Sequence, residues 1–228
     1  MSGNSAVFTQ ETFRFFRDLG RHNHKEWMDA NRDRYQACVV RPFRVLLDRL
    51  TPAVHKLDSE FDVSGRTGKN FSRINRDIRF AHDKSPYRTQ MYLMFSRPTP
   101  NDDDGQLYAG LFADAVTVGF RMYGIRRDSR MKQITAPRAL QNVKWLAGQS
   151  RRLRGRYESY WYETVKGKWT KRNGWPTPEE WKRLKGWIVR RKMAPSAATR
   201  ASFPADITRI FRDLFPLYRF TSELTWKP

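Results

Sequence analysis

The stretch QLYAGLFADAVTVGFRMY, Gln106 to Tyr123, decides the fold. Gln106 to Ala113 and Val116 to Tyr123 flank the two-residue turn Asp114-Ala115 and read as a hairpin, hence as an antiparallel pair. The segment before it supplies a further strand. From Arg88 to Phe95, Thr89, Met91, Leu93 and Phe95 alternate with Gln90, Tyr92 and Met94, the period of two that gives a strand two distinct faces. An antiparallel sheet is the expected product. Between these strands, Pro98 to Gly105 (PTPNDDDG) is a loop by composition. Its three consecutive aspartates lack the alternating ligands and terminal Glu of a calcium loop.

Helical spacing lies on both sides of this sheet. Thr9 reads as an N-cap, Phe8 and Phe13 as a hydrophobic staple and Gly20 as the stop of a first helix with Phe13, Phe16 and Leu19 on one side. A second helix begins near His24 with Trp27, Met28, Tyr35, Cys38 and Val39 at helical spacing, continued after Pro42 by Phe43, Leu46, Leu47, Leu50, Val54 and Leu57. Helical spacing returns from Arg138 to Leu153. Thr177, Pro178 and Glu180 form a capping box that opens a helix ending near Lys185, Trp187 to Met193 reads as an edge strand, and Asp206 to Phe215 as a last helix stopped by Pro216. The expected fold is α+β: N-terminal helices followed by an antiparallel sheet meander with C-terminal helices packed on it, in a single domain over residues 1–228.

Phe71 to Thr89, FSRINRDIRFAHDKSPYRT, carries Arg73, Arg76, Arg79, Lys84 and Arg88 with Asp77 and Asp83 around an apolar run. If Phe71 to Phe80 is a strand, the reading favoured over a helix, Arg73, Asn75, Asp77 and Arg79 share one face while Ile74, Ile78 and Phe80 take the other, with Arg76 among them. Guanidinium forks of this kind hold phosphate or carboxylate, so Arg73, Arg76, Arg79, Arg88 and Tyr87 form a candidate anion site. Asp77, Asp83 and Lys84 match the residue types of metal-dependent nucleases. Asp83 and Lys84 are adjacent, however, and would point to opposite faces of a strand, whereas metal-assisted cleavage needs them to converge. A purely structural role is the alternative: Arg76 paired with a nearby acid, Asp83 capping a turn, Tyr87 closing the core.

This segment resembles the signature of the DUF2461 family of uncharacterised proteins, of the form R-I-x-R-D-x-R-F-x-x-D-K-x-P-Y-[KR]-T. Phe13, Phe16, Leu19, Asn23 to Trp27, Asn31 and Tyr35 resemble its opening block, and Phe211 to Phe220 (FRDLFPLYRF) its closing pattern. His24 and Met28 depart from it, and Arg151 to Trp187 matches poorly. The resemblance implies no activity, cofactor or catalytic residue.

Charge is the second strong signal. The chain of 228 residues has a net charge of +21. Residues 1–120 hold 18 Lys and Arg against 15 Asp and Glu, and the remainder holds 26 against 8, so nearly all the excess lies in the second half. A concentrated positive field implies a polyanionic partner, since a mixed surface avoids its self-repulsion. There Arg151, Arg152, Arg154, Arg156, Lys168, Lys171 and Arg172 interleave with aromatics including Trp169 and Trp175. Cations neutralise phosphates and aromatic faces stack on exposed bases, so these residues form a candidate nucleic-acid surface. Their alternative is tryptophans in a core with a solvated cationic rim. The readings of function are a nucleic-acid or other polyanion-binding domain, an enzyme acting on a phosphorylated or nucleic-acid substrate through Arg73 to Arg88, and a scaffold for an acidic protein.

Other chemistries lack their motifs. His22, His24, His55 and His82 have no partners at zinc spacing, no metal set or cofactor signature is present, and Gly65 to Asn70 (GRTGKN) reads as a loop. No run approaches the ~18 apolar residues of a membrane span, and MSGNSAVF lacks the regions of a signal peptide, so no membrane partner is expected. The lone Cys38, in the apolar run CVV, reads as a buried thiol in a reducing, cytoplasmic compartment.

Overall fold

The computed structural model describes residues 5–98, 105–124 and 131–227, so the aspartates of the PTPNDDDG loop lie outside the described residues. Its helices are α1 (Gln10–Arg21), α2 (Lys25–Ala30), α3 (Arg32–Tyr35), α4 (Arg41–Leu57), α5 (Ala136–Gln141), α6 (Val143–Leu153) and α7 (Phe203–Ser222). The strands are β1 (Gln90–Phe95), β2 (Gln106–Phe112), β3 (Val116–Tyr123), β4 (Glu158–Val165), β5 (Lys168–Asn173) and β6 (Gly186–Met193). The fold is α+β: N-terminal helices, a six-stranded antiparallel sheet of order β1-β2-β3-β6-β4-β5, and the C-terminal helix packed on it.

Several sequence expectations change in detail. Phe71–Phe80 is no strand; it is irregular backbone with isolated bridges from Phe71 to Thr67 and Leu93 and from Asn75 to Tyr87, and it ends in a turn at Arg79 and Phe80. The second helix is segmented, because a π turn at Gln36–Val40 separates α3 from α4. The helix expected after Pro178 is a single 3₁₀ turn, Glu180–Lys182, although half of the capping box forms: the Thr177 N–H donates to Glu180 Oε2 at 2.7 Å. β6 is interior, between β3 and β4, instead of an edge strand. Pro216 lies inside α7 and does not end it. β4 and β5, which form a hairpin in the basic stretch, are strands that the periodicity did not announce.

The described residues divide into two compact units whose boundaries fall within β2, β3, β6 and α7 and at the end of β1. The first comprises residues 1–95, 109–117 and 193–209. Thr9 caps α1 through its hydroxyl, which accepts from the Glu11 N–H at 3.2 Å, and this fixes the register that buries Phe13, Phe15, Phe16 and Leu19. Phe8 meets Phe43 at 5.1 Å and Phe203 at 6.2 Å, both edge to face, the geometry that ring quadrupoles favour. Arg34 of α3 bonds Glu11 and Asp18 of α1 at 2.7 and 2.8 Å, clamping the two helices.

Cys38 is buried in the π turn, and its carbonyl accepts from the Thr12 hydroxyl at 2.6 Å. Burial pushes the thiol pKa up to about 11. The thiolate is the nucleophile, so at neutral pH the native protein should react with iodoacetamide at least ~100-fold more slowly than the denatured chain. Equal rates in the two states would contradict the buried placement.

The second unit comprises residues 96–108, 118–192 and 210–228. Its core is aromatic: Trp161, Trp181 and Trp187 are buried with Phe120 and Phe220. Helix α6 and the segment after it are tied to α7 at Asp213, whose carbonyl accepts from Arg152 at 2.7 Å and whose carboxylate accepts from the Tyr157 hydroxyl at 2.6 Å and from Arg156 at 3.0 Å. Arg138 ends α7 by donating to the carbonyls of Glu223 and Leu224 at 2.7 and 2.9 Å and to that of Phe220, groups a helix C-terminus leaves without internal partners.

Candidate functional site

In the first unit the signature folds back on itself. Arg76 N–H donates to the Pro86 carbonyl at 2.8 Å and Arg88 N–H to the Ile74 carbonyl at 2.7 Å, so residues 74–76 and 86–88 run side by side. The Asn23 side chain pins this pair: its amide donates to Tyr87 O at 2.9 Å, and its oxygen accepts from Tyr87 N–H at 3.0 Å. Beside them lies a concavity of about 500 Å³ lined by Arg76, Asp83, Tyr87 and Arg88 of the signature, together with Asn23, Ser85, Thr89 and Gln90.

The acids of the signature are engaged within the loop. Asp83 accepts from the Ser85 hydroxyl, from the Ser85 N–H at 2.9 Å, and from Arg76; these bonds, that of the hydroxyl first, hold its carboxyl well below the usual range. Asp77 accepts from Arg79 at 2.9 and 2.7 Å, which also lowers its pKa. Lys84 turns back to donate to the Ile78 carbonyl at 3.1 Å. Arg73, Asp77, Arg79 and Lys84 are therefore not among the residues lining the concavity, and Asp83 is the one member of the acid-acid-lysine set that reaches it. Exposure alternates as a strand face would from Arg73 to Arg79, then fails at Phe80, which is 96% exposed. Of the histidines, His24 caps α2 and His22 stacks on Trp27.

The second unit carries a different surface. Lys166 and Gly167 both have positive φ, 48° and 76°, and close the β4–β5 hairpin with a tight turn that suits the strand twist. Directly opposed residues of antiparallel strands share a face. The register pairs Tyr162 with Lys171 of β5 and with Gly186 of β6, and Tyr160 with Asn173 and Ile188. Gly186 has no side chain where the Tyr123 ring passes, 2.6 Å from the Cβ that any other residue would bring. Tyr123, Tyr162 and Trp169 thus lie on one face, with Tyr162 5.7 Å and Tyr123 6.4 Å from Trp169, and Trp169 remains 46% exposed.

Cations are set among these rings. Lys171 Nζ lies 4.2 Å from the Tyr160 ring centroid, Arg190 lies 5.0 Å from the same ring, and Arg121 lies 5.3 Å from the Tyr108 ring. Burial opposes the charge of Arg190, but Tyr160, Tyr108 and the Glu158 carboxylate outweigh it and raise its pKa. The face stays cationic at any physiological pH.

The residues predicted as one nucleic-acid surface divide between places. Trp169 and Lys171 are on this open face. Lys168 and Arg172 point to the other face of the hairpin, where Arg172 meets the buried Glu163 at 2.7 Å. Trp175 packs at 5.2 Å against Trp187 and belongs to the core margin. At the end of α6, Arg152 and Arg156 are engaged by Asp213, while Arg151 and Arg154 are exposed and have no ion-pair partner among the described residues. Sequence reasoning left Arg121 and Tyr123 out of the surface; the Lys166-Gly167 turn, which sets the hairpin register, was the available signal for its β4–β5 part.

A family profile described as a conserved hypothetical protein (DUF2461) matches residues 11–220. The chain belongs to the DUF2461 family. Both the signature concavity and the aromatic face lie within the matched span. A comparison with curated proteins found no match. Among the described residues, no helix is long and apolar enough to cross a membrane.

Proposed function

We propose that this DUF2461 protein binds single-stranded nucleic acid on the open sheet face of its second unit. The half-exposed Trp169 ring, seated against Tyr162 and Tyr123 with Lys171 and Arg190 beside them, is the observation that carries this reading. An exposed indole stacks on any unpaired base, and neighbouring cations neutralise the phosphates between stacked bases. A paired base offers no such face, so single strands should be preferred over duplex. The excess of 26 basic over 8 acidic residues beyond residue 120 supplies the attracting field. A reducing compartment such as the cytoplasm suits the lone thiol.

Fluorescence anisotropy with a labelled oligothymidine tests the proposal. Affinity should fall with salt at a log-log slope of roughly −0.7 per phosphate contact. Trp169→Ala should weaken binding by roughly 1 to 3 kcal/mol, the value of one lost stack, and leave the salt slope in place. Lys171→Gln, which removes a cation of the same face, should flatten the slope by about the share of one phosphate contact. Absence of binding at low salt, or a Trp169→Ala variant as tight as the parent, would overturn the assignment.

A further inference from the structure

We infer that the signature concavity of the first unit is a binding site for a small phosphorylated polyol or sugar, a function separate from the nucleic-acid reading. The first observation is an uncompensated cation. Arg88 lines the concavity, yet among the described residues it has no carboxylate, hydrogen-bond or ring partner for its side chain. Arg76, on the same wall, spends one nitrogen on Asp83 and keeps the rest of its fork. Counting Asp83, these three side chains carry a net positive charge, and the acid is already neutralised by its own partners. A phosphate meets this arrangement as a bidentate acceptor.

The second observation is the composition of the walls. Ser85, Thr89, Gln90 and Asn23 are polar, and Tyr87 is the single aromatic lining residue. A hydrophobic ligand would leave the Thr89 and Gln90 side chains without partners, whereas hydroxyl groups can bond them; Asn23 and Ser85 already bond Tyr87 and Asp83. The volume, about 500 Å³, exceeds what a lone anion fills and falls in the range of small-molecule sites. The third is rigidity. The backbone bonds Arg76 to Pro86 and Arg88 to Ile74, with the Asn23 pin, hold the backbone that carries both guanidinium groups, so less ordering cost falls on binding.

The experiment is a titration of ¹⁵N-labelled full-length protein with inorganic phosphate, glucose 6-phosphate and glucose, followed by the arginine Nε–H resonances and by calorimetry. Both phosphates should saturate the site and move the Arg88 signal. Glucose 6-phosphate should bind more tightly than inorganic phosphate, and glucose alone should not register. Arg88→Gln should weaken glucose 6-phosphate by about tenfold or more, the loss expected for one charge-assisted contact. Arg79→Gln, outside the concavity, and Trp169→Ala, on the other unit, should leave it unchanged, which separates failure here from failure of the nucleic-acid reading. No saturable phosphate binding, or equal losses in Arg88→Gln and Arg79→Gln, would overturn the inference.

Discussion

Trp187→Ala should destabilise the protein by about 3 to 5 kcal/mol, the range for removing a large buried ring. Trp187 is completely buried on the interior strand β6 and meets Phe120 at 5.6 Å, Trp175 at 5.2 Å and Trp181 at 5.2 Å, all edge to face. Its Nε1–H donates to Ser159 Oγ at 3.0 Å, linking β6 to β4. Truncation to alanine would open a cavity between three rings held by separate elements, which cannot all collapse into it. For a chain of this length the cost corresponds to a fall of about 6 to 20 °C in Tm. Trp187→Phe keeps a ring for its three neighbours but strands the Ser159 contact, so it should lose clearly less than alanine does. Urea denaturation of both variants decides it; a cost near zero for alanine would mean that the four rings do not form one core.

Which parts of this architecture could be read from the residues follows from where a single physical signal dominated. The β2–β3 hairpin was legible because its two strands flank a short turn, and β1 because its apolar residues fall on alternate positions. β4 and β5 were not. In β4 the bulky residues Tyr160, Trp161 and Tyr162 fall on both faces, so burial of Trp161 on one side and Tyr160 under Lys171 on the other erases the period. β5 is an edge strand, exposed at every position but Thr170, and its Lys-Trp-Thr-Lys-Arg-Asn sequence has no apolar stripe to detect. Pro216 misled for a different reason. The helix continues through it because Leu214, Leu217 and Tyr218 are fully buried, and that packing outweighs the lost backbone bond. The signature residues were identifiable as polar commitments, but their division into Arg76 and Arg88 on the concavity and Arg73 and Arg79 away from it depends on irregular backbone, which has no period.

Gly119→Ala should be the most damaging single-methyl change in the sheet, whereas the same substitution at Gly148 should stabilise the protein. A Cβ at Gly119 would lie 2.4 Å from the Val189 carbonyl oxygen, 2.7 Å from Arg190 Cβ and 2.8 Å from Arg190 Cα. Two of these atoms are backbone, so rotation of a side chain cannot relieve the collision. β6 would have to move away from β3, and its ladder to β4, from Glu158–Arg190 to Tyr162–Gly186, resists that movement. Overpacking of this kind costs about 1 to 3 kcal/mol where side chains can yield, and more is expected where a strand must shift. Gly148 lies within α6 with no atom within 4 Å of the added methyl. There alanine removes the entropy and propensity penalty of a helical glycine, a gain of about 0.5 to 1 kcal/mol. Opposite signs from one chemical change, read by thermal and urea denaturation of the two variants, would establish the close approach of β3 and β6. A Gly119→Ala variant as stable as the parent would show instead that the strands have room for a side chain, and that the absent side chain is not what lets Arg190 reach the Tyr160 ring on the open face.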